Sequence, residues 1–271
     1  MNTPPLRLSR ALAIIERQLY LMKGSPARVV PLFGFVVIDI VLWGFITRYL
    51  NTVAAGMNFV TSLLGAVVLW DFCVRVLHGV TMAFFEDVWS RNFLNIFASP
   101  LSVGEYLAGQ VVSSMFTSAV GLVAMVALAT IVFGVPFAAY GVMVVPFLLV
   151  LFLFGIAMGI LGASCVLRWG PAAEWWVWPI PAVIAPFAGV FYPVATLPAW
   201  MHPIARILPP SYVFEALRAI VTGGTFQPGS LVLGGALASV YIVAAGWIFT
   251  RVHRHAVRTG LIARYSAETI T

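Results

Sequence analysis

Four ionisable side chains stand in apolar surroundings within a chain of 271 residues that is 62% hydrophobic and only 9% charged. Asp39 lies midway along one apolar run, and Asp71, Arg75 and His78 lie on the next. Spacings of four and three put the last three on one helical face. If the two runs are antiparallel helices, Asp39 and Asp71 sit at comparable depth, about 15–20 Å from the ends at the usual helical rise. An ionised group at that depth in a bilayer costs several kcal/mol unless it is paired or hydrated. The pattern therefore predicts an Asp39–Arg75–Asp71 network, with His78 nearer the cytoplasmic mouth. Three roles are open to it: a tie between two helices, a polar lining or cytoplasmic gate for a solute, or a proton relay.

Other chemistries find no support in residue type and spacing. A phosphate-binding loop needs G-x-x-x-x-G-K-[ST], with its lysine on the terminal phosphates. The single lysine, Lys23, follows Leu-Tyr-Leu-Met and is an interfacial anchor. His202, His253 and His255 have no carboxylate or cysteine at ligand spacing, and Cys73 and Cys165 fall inside apolar runs. No catalytic, cofactor-binding or metal site is expected. Trp175, Trp176 and Trp178 follow Glu174, either as an interfacial belt or as a stacking surface for sugars or apolar tails at a cytoplasmic entrance. Gly155 and Gly159 form a G-x-x-x-G, followed by Gly162 and Ala163, and small residues so spaced let helices approach closely.

The elements that must position these groups are helices in a membrane. Soluble domains carry about 25% charged residues, and this chain has a mean hydropathy of +1.01. Its apolar runs exceed the roughly 20 residues a spanning helix needs. The expected fold is an all-α polytopic membrane protein forming a single transmembrane domain over 1–271. Six spans are predicted, at 29–47, 57–83, 105–133, 140–167, 175–192 and 230–250. A seventh apolar stretch, 194–221, is cut by Pro198, Pro203, Pro209 and Pro210. Proline disfavours a straight helix there, so two short helices that dip into the membrane and return are expected. Residues 6–23 read as an amphipathic helix. Leu8, Ala11, Leu12, Ile15, Leu19 and Met22 lie on one side, with Arg10 and Arg17 opposite and facing lipid headgroups. Polar and charged residues throughout 1–28 predict no cleavable signal peptide.

Eleven of the fifteen Lys and Arg residues fall on the side that holds both termini if six spans are counted. Only Arg48, Arg206 and Arg218 fall outside, and Arg75 lies within a span. This bias places both termini in the cytoplasm. Cations scattered along span flanks, with aromatics inside apolar runs, also argue against a nucleic-acid footprint.

One cytoplasmic segment has a sharper character. From Phe84 to Ser102 the chain reads FFEDVWSRNFLNIFASPLS. Trp89, Phe93, Ile96 and Phe97 fall on one stripe, and Glu86, Asp87 and Arg91 are available to partners. Pro100 ends the helix, and Ser102 with Glu105 predicts a capping box. It is either an interfacial connector or a lever pushed by a cytoplasmic protein.

The amphipathic start, this acidic helix leading into ASPLSVGEYLAG (Ala98–Gly109), and AGVFYPVATLPAWMHPIARILPPSYVFEALR (Ala188–Arg218) together resemble the type-2 ABC exporter permeases. These move polysaccharides, lipo-oligosaccharides, drugs or lipids. The resemblance implies that residues 85–97 are a coupling helix seated on a separate ATPase, with Phe85, Glu86, Asp87, Trp89, Arg91 and Asn92 as contacts. It implies that 6–23 is a connecting helix riding on that ATPase. Residues 193–221 become extracellular re-entrant helices, with Phe191, Tyr192, Pro193, Leu197 and Pro198 closing the outer end. Two copies of the chain, each facing membrane lipid, pair as a homodimer around a central pathway in a bacterial inner membrane. Two copies of the ATPase hold ATP and Mg, and this chain binds neither. The other class in view is a proton-coupled secondary transporter using Asp39, Asp71 and His78.

Overall fold

The computed structural model describes residues 8–53, 60–90, 96, 99–224 and 227–261. These form a helical bundle, with no strand among the described residues. Helix α1 is Leu8–Lys23 and α2 is Pro26–Val53. A π-turn at Val60–Leu64 leads into α3, Gly65–Trp89. Next come α4, Val103–Phe133, and α5, Val144–Trp169, joined through a 3-10 segment. The short helices α6 (Glu174–Val177), α7 (Ile180–Ala188), α8 (His202–Ile207) and α9 (Pro209–Val221) precede the long α10, Pro228–Thr259.

Local chemistry sets the ends. Ser102 Oγ accepts from Glu105 N at 3.2 Å, and Ser102 N donates to Glu105 Oε2 at 2.8 Å, closing the expected capping box of α4. Gly134, at φ 70°, ends α4 in the left-handed conformation that glycine adopts without strain.

Helix α5 is the centre of the bundle, packed between α3 and α10. The expected small-residue stripe permits this. A Cβ on Gly155 would lie 2.8 Å from Cys73 O, and one on Gly159 would lie 2.9 Å from Leu77 O. Thr81 Oγ1 donates across the seam to Gly159 O at 3.1 Å. Such contact replaces the hydrophobic drive that is absent between helices in lipid.

Among the described residues, five helical segments are long and apolar enough to cross a membrane: Val36–Val53, Thr61–Trp89, Val103–Phe133, Phe137–Trp169 and Pro228–Thr259. The segment 175–192 is not a straight span. It breaks at Trp178–Pro179 into α6 and α7, four and nine residues long. Together these rise about 20 Å, short of the roughly 30 Å hydrocarbon core. The chain nonetheless returns through the bundle between α5 and α10. Gly235 stands beside Val150, and Tyr241 packs on Phe154 with ring centroids 5.5 Å apart, so α5 and α10 run parallel. Two consecutive long helices run parallel only when the connection climbs back, and here prolines and short helices make that climb.

The proline-rich stretch is broken as expected. Leu208, extended at φ −94° and ψ 114°, separates α8 from α9. Phe214 of α9 reaches Trp70 of α3, with centroids 6.2 Å apart.

Helix α1 overturns one expectation. Its basic face is not turned to lipid headgroups. Arg10 reaches Glu105 at 3.5 Å and Arg17 pairs with Asp87, while Leu8, Leu12 and Leu19 are exposed. The reason is electrostatic: Asp87 and Glu105 are 0% and 1% exposed, and buried carboxylates require cations and donors. A Cβ on Gly109 would lie 2.6 Å from Ile14 Cβ, so a bare backbone on α4 lets α1 dock this closely.

Candidate functional site

Helices α1, α3 and α4 meet in a largely buried polar knot. Asp87, on the last turn of α3, accepts hydrogen bonds from Arg17, from Tyr106 Oη at 2.7 Å and from Gln110 Nε2 at 3.3 Å. Gln18 Nε2 donates to Gln110 Oε1 at 3.1 Å. Burial works to lower the pKa of Arg17, but the hydrogen bond and charge of Asp87 outweigh it and hold the pKa above its ordinary value. Arg17 thus stays ionised throughout the physiological range.

Asp87 is therefore not the exposed contact the sequence suggested. Its carboxylate faces inward, satisfied by three side chains. Phe85 is likewise buried, and Phe85–Trp89 continue α3 as its last turn rather than opening a separate helix. Glu86 is partly exposed and Trp89 is 44% exposed. Arg91 and Asn92, with most of 90–98, lie outside the described residues.

Above this knot a cavity of about 590 Å³ runs between α1, α2, α3, α4 and the break before α7. It begins at Met22, Glu86 and Trp89 and ends at Asp39, Asp71 and Ser118. Arg75 Nε donates to Asp71 Oδ2 at 3.1 Å, and the Arg75 side chain crosses α4 at Gly121, where a Cβ would lie 3.3 Å from Cδ. The expected three-membered network is only partly assembled. Asp39 faces the same cavity, but among the described residues no hydrogen bond or ion pair reaches its carboxylate. The cause is packing: α2 lies chiefly against α4 rather than α3, leaving the cavity between Asp39 and the Asp71–Arg75 pair.

His78 lies against Trp178 with ring centroids 4.5 Å apart and planes tilted by 44°, and Trp178 Nε1 donates to Glu174 Oε1 at 3.0 Å. Of the three tryptophans, only Trp178 lines the cavity. Trp175 and Trp176 are 81% and 79% exposed and point away. His78 Nε2, Ser113 Oγ and Ser118 Oγ are buried and have no hydrogen-bond partner among the described residues.

Sequence reasoning missed the α4 wall. Gln110, Ser113, Ser114, Thr117, Ser118 and Gly121 recur at helical spacing along an otherwise apolar span. That stripe was legible as a polar face, and it supplies the hydroxyls opposite α3.

At the far end of the bundle, Arg218 of α9 staples the turn that follows α7. Its guanidinium donates to the carbonyl of Gly189, to Tyr192 O at 2.9 Å and to Val190 O at 3.4 Å, and pairs with Glu215 at 3.2 Å. Glu215 Oε1 accepts from Val194 N at 2.8 Å. This ties down the turn after α7, which needs Gly189 at φ 69°. Phe191 stacks on Trp43 of α2 at 4.9 Å and 12°, and Tyr192 Oη donates to Pro186 O at 3.0 Å. Pro193 O accepts from Thr196, Leu197 is buried, and Pro198 opens the next 3-10 turn.

The chain is thus an all-α, multi-pass bundle with a cavity reaching from one end toward its middle and a stapled turn at the other. The chain matches the ABC-2 type transporter family over residues 10–222, and it belongs to that family. It is thus a transmembrane permease component of an ABC transporter, a class that works with an ABC ATPase. No curated protein sequence matches it.

Proposed function

We propose that the chain is the membrane half of an ATP-driven exporter. A homodimer, served by two copies of a separate ATPase that hold ATP and Mg, moves an amphipathic or hydrophobic substrate out of the cytoplasm by alternating access. The α1 end of the bundle is the cytoplasmic side, on the charge asymmetry of the loops. The observation that carries the reading is the one-sided cavity. It begins at Glu86 and Trp89, next to the segment assigned to ATPase contact, and stops below the turn held by Arg218. A cavity loaded from the cytoplasm and closed outside suits export.

The coupling role of 85–97 is supported by continuity. Glu86 and Trp89 line the cavity and also form the end of α3, so a push on that end is delivered directly to the cavity wall. A pathway between two copies is supported by α2 and α4, which border the cavity and expose Leu42, Phe45, Met115 and Phe116 on their outer faces. In this reading Phe191, Tyr192, Pro193, Leu197 and Pro198 form the outer gate, opened as the Trp43–Phe191 stack parts.

The test is reconstitution in proteoliposomes with the co-expressed ATPase. The expected result is substrate-stimulated ATP hydrolysis that Trp89→Ala uncouples without loss of assembly. Uptake driven by a proton gradient with the purified chain alone would overturn the proposal in favour of a secondary transporter.

A further inference from the structure

The chemistry of the cavity wall narrows the class of substrate, an inference resting on the permease reading above. Three carboxylates, Asp39, Asp71 and Glu86, line the cavity against one guanidinium, Arg75. Arg75 is already engaged by Asp71 at 3.1 Å, so it is poorly placed to receive an anion, which would also face the other acids. Asp39 has no direct partner among the described residues. A neutral saccharide would satisfy hydroxyls but leave Asp39, which feels Arg75 only through space, without a direct cationic partner at a depth where charge is costly.

A second observation points to a ligand independently of the acids. Ser113 and Ser118 are only 6% and 2% exposed, line the same cavity, and carry hydroxyls with no partner among the described residues. Buried polar groups are ordinarily hydrogen-bonded. The remaining wall is apolar and aromatic, with Met82 and Trp178. At about 590 Å³ the cavity falls within the range of sites for drug-sized molecules and is too small for a polymer.

We propose that this cavity binds a cationic amphiphile. Its ammonium group sits by Asp39, a carbonyl, amide or hydroxyl group meets Ser113 and Ser118, and its apolar or aromatic body lies on Trp178 and Met82.

The test uses the full chain in lipid nanodiscs and a matched pair of fluorescent probes. Dansylcadaverine carries a primary ammonium, and its N-acetyl derivative is neutral but otherwise alike. Binding is read from dansyl emission after subtraction of empty nanodiscs. The amine is expected to bind at least about tenfold more tightly than the amide, the effect of one charge-assisted hydrogen bond. Asp39→Asn is expected to erase most of that ratio. Equal affinities, or a preference for the amide, overturn the assignment. The wild-type ratio decides the matter alone if Asp39→Asn gives no monodisperse chain. A parallel ATPase assay on the co-purified complex separates the two readings. Stimulation by the amide and not the amine removes the cation assignment and leaves the exporter standing. Asp39-dependent binding of the amine without stimulation keeps the cation site and removes the exporter.

Discussion

Two acidic sites on α3, four turns apart, are built on opposite principles. At Asp87 every lone pair direction that matters is met by protein: Arg17, Tyr106 and Gln110 converge on a carboxylate that is fully buried. Around Asp71 the chain leaves a void, an unpaired Asp39 on the facing helix, and two hydroxyls and an imidazole nitrogen without partners among the described residues. The first arrangement holds α1, α3 and α4 together. The second is held by them and keeps its hydrogen-bonding capacity in reserve. Buried charge by itself therefore says little about function; the state of satisfaction of its neighbours says more.

The largest expected effect breaks the first site. Asp87→Ala strands a partly buried guanidinium and a buried phenol and amide, and removing one partner of a buried pair costs about 3–5 kcal/mol. A large fall in thermal stability of the purified chain and in folded yield is expected. Asp39→Asn, in contrast, has no direct partner to lose, and its stability should stay within about 1 kcal/mol of the parent. If Asp39→Asn unfolds the chain while Asp87→Ala is tolerated, the contrast between the sites is inverted and the assignment of roles fails.

Arg218→Met tests whether the closed end behaves like the knot or like the cavity. The guanidinium makes charge-assisted bonds to three carbonyls and Glu215, and losing bonds of this kind costs about 2–3 kcal/mol in total after relaxation. The turn at Gly189–Val194 would loosen before the long helices did. The expected readout is substrate leak through the reconstituted complex with ATP hydrolysis retained. Tight, fully coupled transport in Arg218→Met would show the staple to be dispensable.

Gly159→Ala probes the scaffold between the two sites. Its added methyl meets Leu77 O and Val80 inside 3 Å, and overpacking of this sort costs about 1–3 kcal/mol. Because α5 would push α3 as a rigid rod, the change should lower stability and shift cation binding at the cavity together. A drop in stability with unchanged dansylcadaverine affinity would show that the cavity wall is insulated from the α3–α5 seam.

What the sequence made legible follows from which forces are local. Five of the six spans, the capping box at Ser102, the proline-broken stretch and the glycine stripe rest on neighbours in sequence, and these are found in the structure. The facing of α1 was misjudged because hydrophobic periodicity is blind to acids on other helices: Glu105 and Asp87 claim Arg10 and Arg17, and the leucines take the outside. Asp87 was misplaced for the same reason, since an acid beside Glu86 and Arg91 in sequence looks exposed until Tyr106 and Gln110 are folded against it. The break at Trp178–Pro179 lay in plain view as W-P-I-P, but the high hydropathy of 175–192 outweighed it. The residues of the first two spans did come together in one cavity, whereas its α4 wall was passed over because serine and threonine are unremarkable in an apolar helix.

The smallest expected effect is also the most discriminating. Ser118 Oγ is buried and without a partner among the described residues, so in the ligand-free protein it carries a desolvation cost with no bond to offset it. Ser118→Ala removes that cost and leaves the packing of a small residue intact. Its melting temperature should therefore stay level or rise slightly, with a change in stability of no more than about 1 kcal/mol. Affinity for the dansyl probes should fall by a few fold, amine and amide alike, because this hydroxyl meets their shared hydrogen-bonding group and not the charge. At the knot no such separation is available: Tyr106→Phe removes a bond to Asp87 and should lower stability by about 1–2 kcal/mol, with no gain anywhere. Stability and binding thus move apart at Ser118 and fall together at Tyr106. A Ser118→Ala chain that melts well below the parent would mean that its hydroxyl is already used in the resting fold and is not held open for a ligand.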